Sequence, residues 1–161
     1  MASLVGGRPR AAIVASGSEL VRGDRTDRNG PFLAAQLLRL GIEPARITVV
    51  GDGRGDLEGA LADGLRFDLL CVSGGLGPTH DDRTIELLAK AAGVDLVMDE
   101  ALRDQIEEIS RRVAARLKRD YADFAGGVQK QAMVPAGALV VGVAGTAPAD
   151  KGRLTSPAAS W

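Results

Sequence analysis

Asp68-Leu69-Leu70-Cys71-Val72-Ser73-Gly74-Gly75-Leu76-Gly77-Pro78-Thr79-His80-Asp81-Asp82-Arg83-Thr84 runs from an apolar stretch, through glycines, into a helical pattern. That order predicts a strand, a glycine loop and a helix N-terminus. Glycines let the backbone turn sharply and bring amide N–H groups close to a ligand, while a helix start supplies free donors and partial positive charge. An anion is the expected occupant, held by Gly74, Gly75, Gly77 and Thr79. Two acids, Asp81 and Asp82, end the same loop and would repel a phosphate unless a divalent cation stood between them, shared by carboxylate and phosphate oxygens. The loop therefore predicts a metal-assisted phosphate site, with Asp81 and Asp82 as metal ligands. A plain capped turn requires one short polar residue, not this combination of glycines, proline, threonine and acids. Two familiar phosphate motifs fail on spelling: the dinucleotide fingerprint wants glycine where His80 stands, and no Gly-Lys-Ser/Thr follows as in a P-loop.

Outward from this loop the chain repeats the same grammar. Ala11 to Ala15 is a short apolar run stopped by Ser16-Gly17, and Arg46 to Val50 is a β-branched run stopped by Gly51-Asp52; both read as strands. Pro31 opens a helical pattern over Phe32 to Leu40 that Gly41 closes, and Leu57, Leu61 and Leu65 form a second helical stripe. A third helix is expected from about Asp82 to Ala92, ended by Gly93. Three consecutive strand-helix units predict an α/β domain, a mainly parallel sheet covered by helices on both faces in three layers. Beyond it, Val94 to Met98 reads as an extra strand, Asp99 as the cap of a long helix carrying Leu102, Ile106, Ile109, Val113 and Leu117, Tyr121 to Gly127 as loop, Val128 to Val134 as a short helix and Ala138 to Val143 as a strand.

In an open parallel sheet ligands bind beyond the carboxyl ends of the strands. This rule would gather three loops: Gly17 to Gly30 with Glu19, Asp24, Asp27 and Asn29; Gly51 to Asp56 with Asp52; and Ser73 to Asp82. Any one of these acids alone reads as a turn former or cap. His80 is the only histidine and reads as incidental, and Arg22, Arg25 and Arg28 read as surface charges.

The 161 residues suffice for one domain with a real core. With 20 basic and 21 acidic residues the net charge is −1, and aromatic residues make up 3%, so neither an electrostatic footprint for nucleic acid nor stacking platforms for single strands are present. No run approaches the ~18 apolar residues of a membrane span, and Met1 to Arg10 lacks the pattern of a signal peptide. Membrane association is not expected. Cys71, the single cysteine, reads as a small packed hydrophobe, which fits a cytoplasmic setting.

Ala12 to Leu20, Asp27-Arg28-Asn29, Val49-Val50-Gly51-Asp52 and, above all, Ser73 to Thr84 resemble the N-terminal domain of the CinA family, competence/damage-inducible protein A. Lys130-Gln131-Ala132 and Gly145-Thr146-Ala147-Pro148 fall where that family has similar short motifs, so the likeness covers 11–148. It implies the three-layer fold of MoaB- and Mog-type molybdopterin-binding proteins, which commonly form homo-oligomers. It also implies metal-dependent hydrolysis of ADP-ribose to AMP and ribose 5-phosphate, with Mg²⁺, Mn²⁺ or Co²⁺ as cofactor. Asp52 and Asp82 would be the catalytic acids, and Asp27 and Asn29 would orient the sugar or complete the metal shell. The ligand would be a small nucleotide or a pterin. Molybdopterin binding or adenylyl transfer in molybdenum cofactor synthesis is the alternative, and a non-catalytic truncated homologue is the third reading.

The sequence departs from the family pattern in three places. Ser18 stands where threonine is frequent, Gly126-Gly127 stand where an asparagine pair is frequent, and after Pro148 the closing segment of the pattern is missing. Residues 149–161 are therefore expected to be a divergent, disordered tail, leaving the Ala138 to Val143 strand without its neighbour, and no C-terminal deamidase domain is expected.

Overall fold

The computed structural model describes residues 7–144 and 147–151. β1 (Arg10–Ser16) is followed by α1 (Ser18–Val21), α2 (Asn29–Arg39), β2 (Glu43–Val50), α3 (Arg54–Gly64) and β3 (Leu69–Ser73). The three strands form one parallel sheet in the order β2-β1-β3, with Ile13 opposite Ile47 on one side and Cys71 on the other. The predicted parallel α/β arrangement is thus present.

Both faces of β1 are covered. Ala11, Ala12, Ile13, Val14 and Ala15 are each at most 2% exposed, the unbroken apolar run that a central parallel strand requires. Period-two alternation puts Ala11, Ile13 and Cys71 on one face, where they pack against Leu37, Leu33 and Ala34 of α2. Ala12, Val14 and Leu70 occupy the other face, and a Cβ on Gly64 of α3 would meet Leu70 Cδ1 at 2.6 Å. The glycine lets the end of α3 approach the sheet. The chain steps from β1 to β2 under one helix, then crosses back past β1 to β3 under the other. This reversal makes the β1–β3 boundary the topological switch point, with Ser16 and Ser73 at its carboxyl edge.

The chain divides into two compact units, the first ending at Ser73 and the second beginning at Gly74. The second contains α4 (Thr84–Ala92), β4 (Leu96–Met98), α5 (Glu100–Leu117), α6 (Ala122–Gln131), β5 (Met133–Pro135), β6 (Leu139–Ala144) and β7 (Ala147–Lys151). β4 pairs antiparallel with β5, and β6 with β7. Leu102 and Ile106 of α5, Val128 of α6 and Val134 of β5 form its core cluster, with Tyr121, Val140 and Val143 packed against it. Among the described residues no helix is long and apolar enough to cross a membrane.

Several expectations need correction. Tyr121 to Gly127 is not a loop, because α6 begins at Ala122, and the segment expected as a helix to Val134 changes to strand at Met133. Asp99 caps α5 as expected, accepting from Leu102 N at 2.8 Å, but the buried stripe continues through Ser110 and Ala114, leaving Leu117 53% exposed. α4 starts at Thr84 rather than near Asp82. The tail expected from Ala149 and the unpaired strand at Ala138 to Val143 are also corrected, since Ala149, Asp150 and Lys151 belong to β7 and lie opposite Gly142, Val140 and Leu139. An antiparallel ribbon uses backbone groups that almost any residue supplies, so pairing occurs there without an alternating apolar pattern. The rest of that expected tail, 152–161, lies outside the described residues.

Because Ile13 is fully buried between α2 and the neighbouring strands, Ile13→Ala should lower unfolding free energy by about 2–5 kcal/mol, read from urea denaturation monitored by circular dichroism.

Candidate functional site

In the first unit, polar groups gather where β1 and β2 end. Ser16 closes β1, and the backbone continues through Gly17, whose N–H donates to Val50 O at 2.9 Å, into α1. Asp52, two residues past β2, receives Ser16 Oγ at 3.0 Å, Ser18 N at 3.0 Å and Ser18 Oγ at 2.7 Å. Its own N–H donates to Ser18 Oγ at 3.3 Å. Desolvation pushes the carboxyl pKa up, but the donors from Ser18, then Ser16, outweigh it and hold Asp52 below the usual aspartate value. Asp52 is therefore a fixed negative charge at neutral pH, oriented by two hydroxyls.

Asp27 has a more local task. Its Oδ1 accepts from Asn29 N at 2.9 Å and Gly30 N at 3.1 Å, which satisfies the first free donors of α2. A Cβ on buried Gly30 would collide with that carboxylate and meet Ile47 Cγ2 at 2.9 Å, so glycine is required beside the capping acid. Asn29, the first residue of α2, donates from Nδ2 to Ser73 Oγ at 2.6 Å and so ties the helix start to the end of β3.

In the second unit the glycine loop is tethered by its carbonyl oxygens. Thr84, fully buried at the first position of α4, donates its Oγ1 to Gly74 O at 2.8 Å and its N–H to Gly75 O at 3.2 Å. Gln131, 5% exposed at the end of α6, donates Nε2 to Leu76 O at 3.0 Å. Lys130 donates Nζ to Thr79 O. Gly74 and Gly75 take φ values of 96° and 61°, in the left-handed region that favours glycine. The N–H groups of Gly74, Gly75, Leu76 and Gly77 meet no acceptor among the described residues.

Asp82 turns back over the loop rather than capping α4. Its Oδ2 accepts from Thr79 N at 2.9 Å and from Thr79 Oγ1, and a Cβ on Gly77 would meet that oxygen at 2.5 Å. The third glycine therefore makes room for the acid that closes the loop. Asp81 is exposed, with His80 Nδ1 at 3.7 Å. A cavity of about 290 Å³ opens beside the loop, lined by Gly75, Leu76, Gly77 and Asp82 and walled by apolar Ile85, Leu96 and Met133.

The donor set bears on the expected cation. Among the described residues no three His, Cys, Asp or Glu side chains cluster to hold a metal, so no preformed all-protein cage is built. Asp82 Oδ1 and the exposed Asp81 carboxylate suit the other mode, in which one or two carboxylates share a hard cation with substrate phosphates.

The sequence reasoning placed Gly74, Gly75, Gly77, Thr79, Asp81 and Asp82 on one loop, and the structure brings Thr79, Gly77 and Asp82 into contact there. Asp27, Asn29 and Asp52 belong to the first unit, where Asp27 caps a helix and Asp52 sits with Ser16 and Ser18. It assigned no role to Thr84, Lys130 or Gln131, which hold the loop. A buried Gln closing a helix and a Thr two residues after the last acid are weak signals without contacts.

A parallel α/β sheet whose strands end in glycine-punctuated loops defines the class of fold. The family model described as "Probable molybdopterin binding domain" matches residues 12–151, and the chain belongs to that family. Among curated relatives, a CinA-like protein of Mycobacterium marinum is 46% identical over 146 residues, covering 86% of this chain and 34% of that protein. A CinA-like protein of Mycobacterium tuberculosis is 42% identical over 149 residues with the same coverage. The chain thus spans about a third of the length of these relatives. The crystal structure of a CinA protein of unknown function from Thermoplasma acidophilum superposes with a TM-score of 0.73 at 30% identity, over 89% of this chain and 80% of that one. A molybdopterin biosynthesis protein from Mycobacterium abscessus matches with a TM-score of 0.51 at 20% identity, over 88% and 78%, a likeness of fold alone.

A carboxyl whose folded pKa lies below its unfolded value contributes stability that is complete above about pH 4 and is lost as pH falls through the folded midpoint. Asp52 should therefore titrate below the usual aspartate value by carboxyl NMR, and Asp52→Asn should make acid unfolding between about pH 5 and about pH 2 less steep.

Proposed function

We propose that this domain binds a phosphorylated small molecule on the Gly74–Thr79 loop and hydrolyses a nucleoside diphosphate sugar of the ADP-ribose type. The observation that carries the reading is the loop itself: its carbonyls are tied back by Thr84 and Gln131 while four successive N–H groups meet no acceptor among the described residues. Such a cradle suits phosphate oxygens, and the apolar wall of Ile85, Leu96 and Met133 beside it suits a flat ring. The 42–46% identity to CinA-like proteins, for which the family resemblance implies ADP-ribose hydrolysis, favours the diphosphate sugar.

In the hydrolysis, water oxygen bonds to one phosphorus, the bridging P–O bond breaks, and AMP and ribose 5-phosphate leave. The Asp81 and Asp82 carboxylates would hold a divalent cation, which when bound would supply Lewis acidity and a more acidic water. The chain's own groups have separate tasks. The loop N–H groups hold phosphate oxygens, and Thr79 fixes Asp82 through two hydrogen bonds; Asp52, in the first unit, is an ionised acid held by Ser18 and Ser16. Asp27 holds the start of α2, and Asn29 ties that helix start to Ser73 at the end of β3.

Molybdopterin binding is the second reading, favoured by the family model that covers 12–151. It uses the same phosphate cradle without the hydrolytic step.

The purified chain should convert ADP-ribose to AMP and ribose 5-phosphate with Mg²⁺, Mn²⁺ or Co²⁺, and Asp82→Asn should reduce turnover by at least about 100-fold with the circular dichroism spectrum retained. Molybdopterin binding without ADP-ribose turnover would select the second reading.

A further inference from the structure

The geometry points to Thr84 and Gln131 as positioning residues that set three peptide planes of the glycine loop so that the N–H groups of Gly75, Leu76 and Gly77 act as one anion-binding row. This inference rests on the phosphate-loop reading above and adds the side chains that create it. In a trans peptide the carbonyl of one residue and the N–H of the next point in opposite directions. Whatever holds the carbonyls of Gly74, Gly75 and Leu76 therefore aims the amides of Gly75, Leu76 and Gly77.

The first two planes are held by one residue. Thr84 Oγ1 reaches Gly74 O and Thr84 N reaches Gly75 O, so both carbonyls face the first turn of α4. Successive carbonyls face the same way only when the residue between their planes is helical in one hand or the other, and Gly75, with φ 61°, is left-handed. The third plane is held from α6, where Gln131 Nε2 reaches Leu76 O. Both donors are buried, Thr84 completely and Gln131 to 5% exposure, so water does not compete freely for them. Neither side chain needs to touch the ligand to act.

The alternative is that both residues merely stabilise the fold. Thr84→Val and Gln131→Leu preserve approximate shape and remove the side-chain donor. Thr84→Ser restores a hydroxyl, and Gln131→Glu presents a carboxylate that cannot donate. The probe is inorganic pyrophosphate with equimolar Mg²⁺, titrated into ¹⁵N-labelled protein. In the wild-type chain the Gly75, Leu76 and Gly77 amide protons should move downfield together. Thr84→Val should weaken pyrophosphate binding about tenfold and diminish the Gly75 response, with Thr84→Ser recovering both. Gln131→Leu and Gln131→Glu should act most on Gly77.

Downfield shifts in the wild type with affinities unchanged in the variants would overturn the positioning role while leaving the phosphate loop standing. Loop amides silent to pyrophosphate in the wild type would overturn the loop reading and this inference with it. If the variants do not fold, the wild type decides alone: the hydrogen-bond scalar coupling from the Gln131 side-chain amide to the Leu76 carbonyl must persist in the pyrophosphate complex, and its loss would overturn the inference.

Discussion

The first unit depends on the burial of β1 from all sides. A strand with a parallel neighbour at each edge and a helix on each face must be apolar throughout, and Ala11 to Ala15 meets that condition with Ile13 and Val14 as its only side chains larger than alanine. Three alanines among five positions let α2 and α3 approach closely, as Gly64 does for the end of α3. Parallel strands cannot be joined by tight turns, so each connection needs a crossover, and the crossovers leave the carboxyl ends of the strands as the open edge. Ser16, Asp52 and Ser73 lie there as a consequence of the same rule that buries Ile13.

What the sequence made legible follows that rule. Each strand-helix unit carries its own punctuation, with Gly17, Gly51 and Gly74 ending the strands and Gly41 and Gly93 ending helices, so the parallel order could be read one unit at a time. Beyond α5 such local marks fail. α6 carries Gly126 and Gly127, which argue against a helix on propensity, and buries Val128 and Gln131, with Tyr121 just before it packed on the same cluster. Tertiary contact with α5 overrides the propensity. β7 was illegible for a different reason: its partner β6 accepts it through backbone pairing, and the bulge at Val141 absorbs the irregular register. On α5, alternative four-residue series fit the spacing almost equally well, and which series is buried is settled by α6 and β5 rather than by α5 itself.

The candidate site was legible as residue types and not as tasks. The glycines could be read as a loop, yet the residues that orient the loop lie 9 and 55 positions from the carbonyls they hold most distinctively, Gly75 to Thr84 by backbone and Leu76 to Gln131 by side chain. Such pairings are set by folding, and no local spacing encodes them. Asp27 shows the reverse. It was read as a ligand in company with other acids, while its carboxylate is engaged by the N–H groups of Asn29 and Gly30 at the start of α2.

The acids of the loop also change the argument for a cation. At the level of sequence, Asp81 and Asp82 beside an anion site present a charge conflict that only a positive ion seems to resolve. In the folded chain Asp82 already has two donors on Oδ2, from the N–H and hydroxyl of Thr79, and Asp81 is exposed beside His80. Its place over Gly77 gives Asp82 a structural reason to be an acid before any ligand arrives. A cation is therefore not needed to hold the empty loop together. On the proposed reading a requirement for one would arise with the diphosphate, whose added negative charge would approach a carboxylate that Thr79 holds in place. A loop stable by itself and repulsive to the bare anion would favour the metal-bound diphosphate over the free one, because the bare anion faces the fixed acid without compensation.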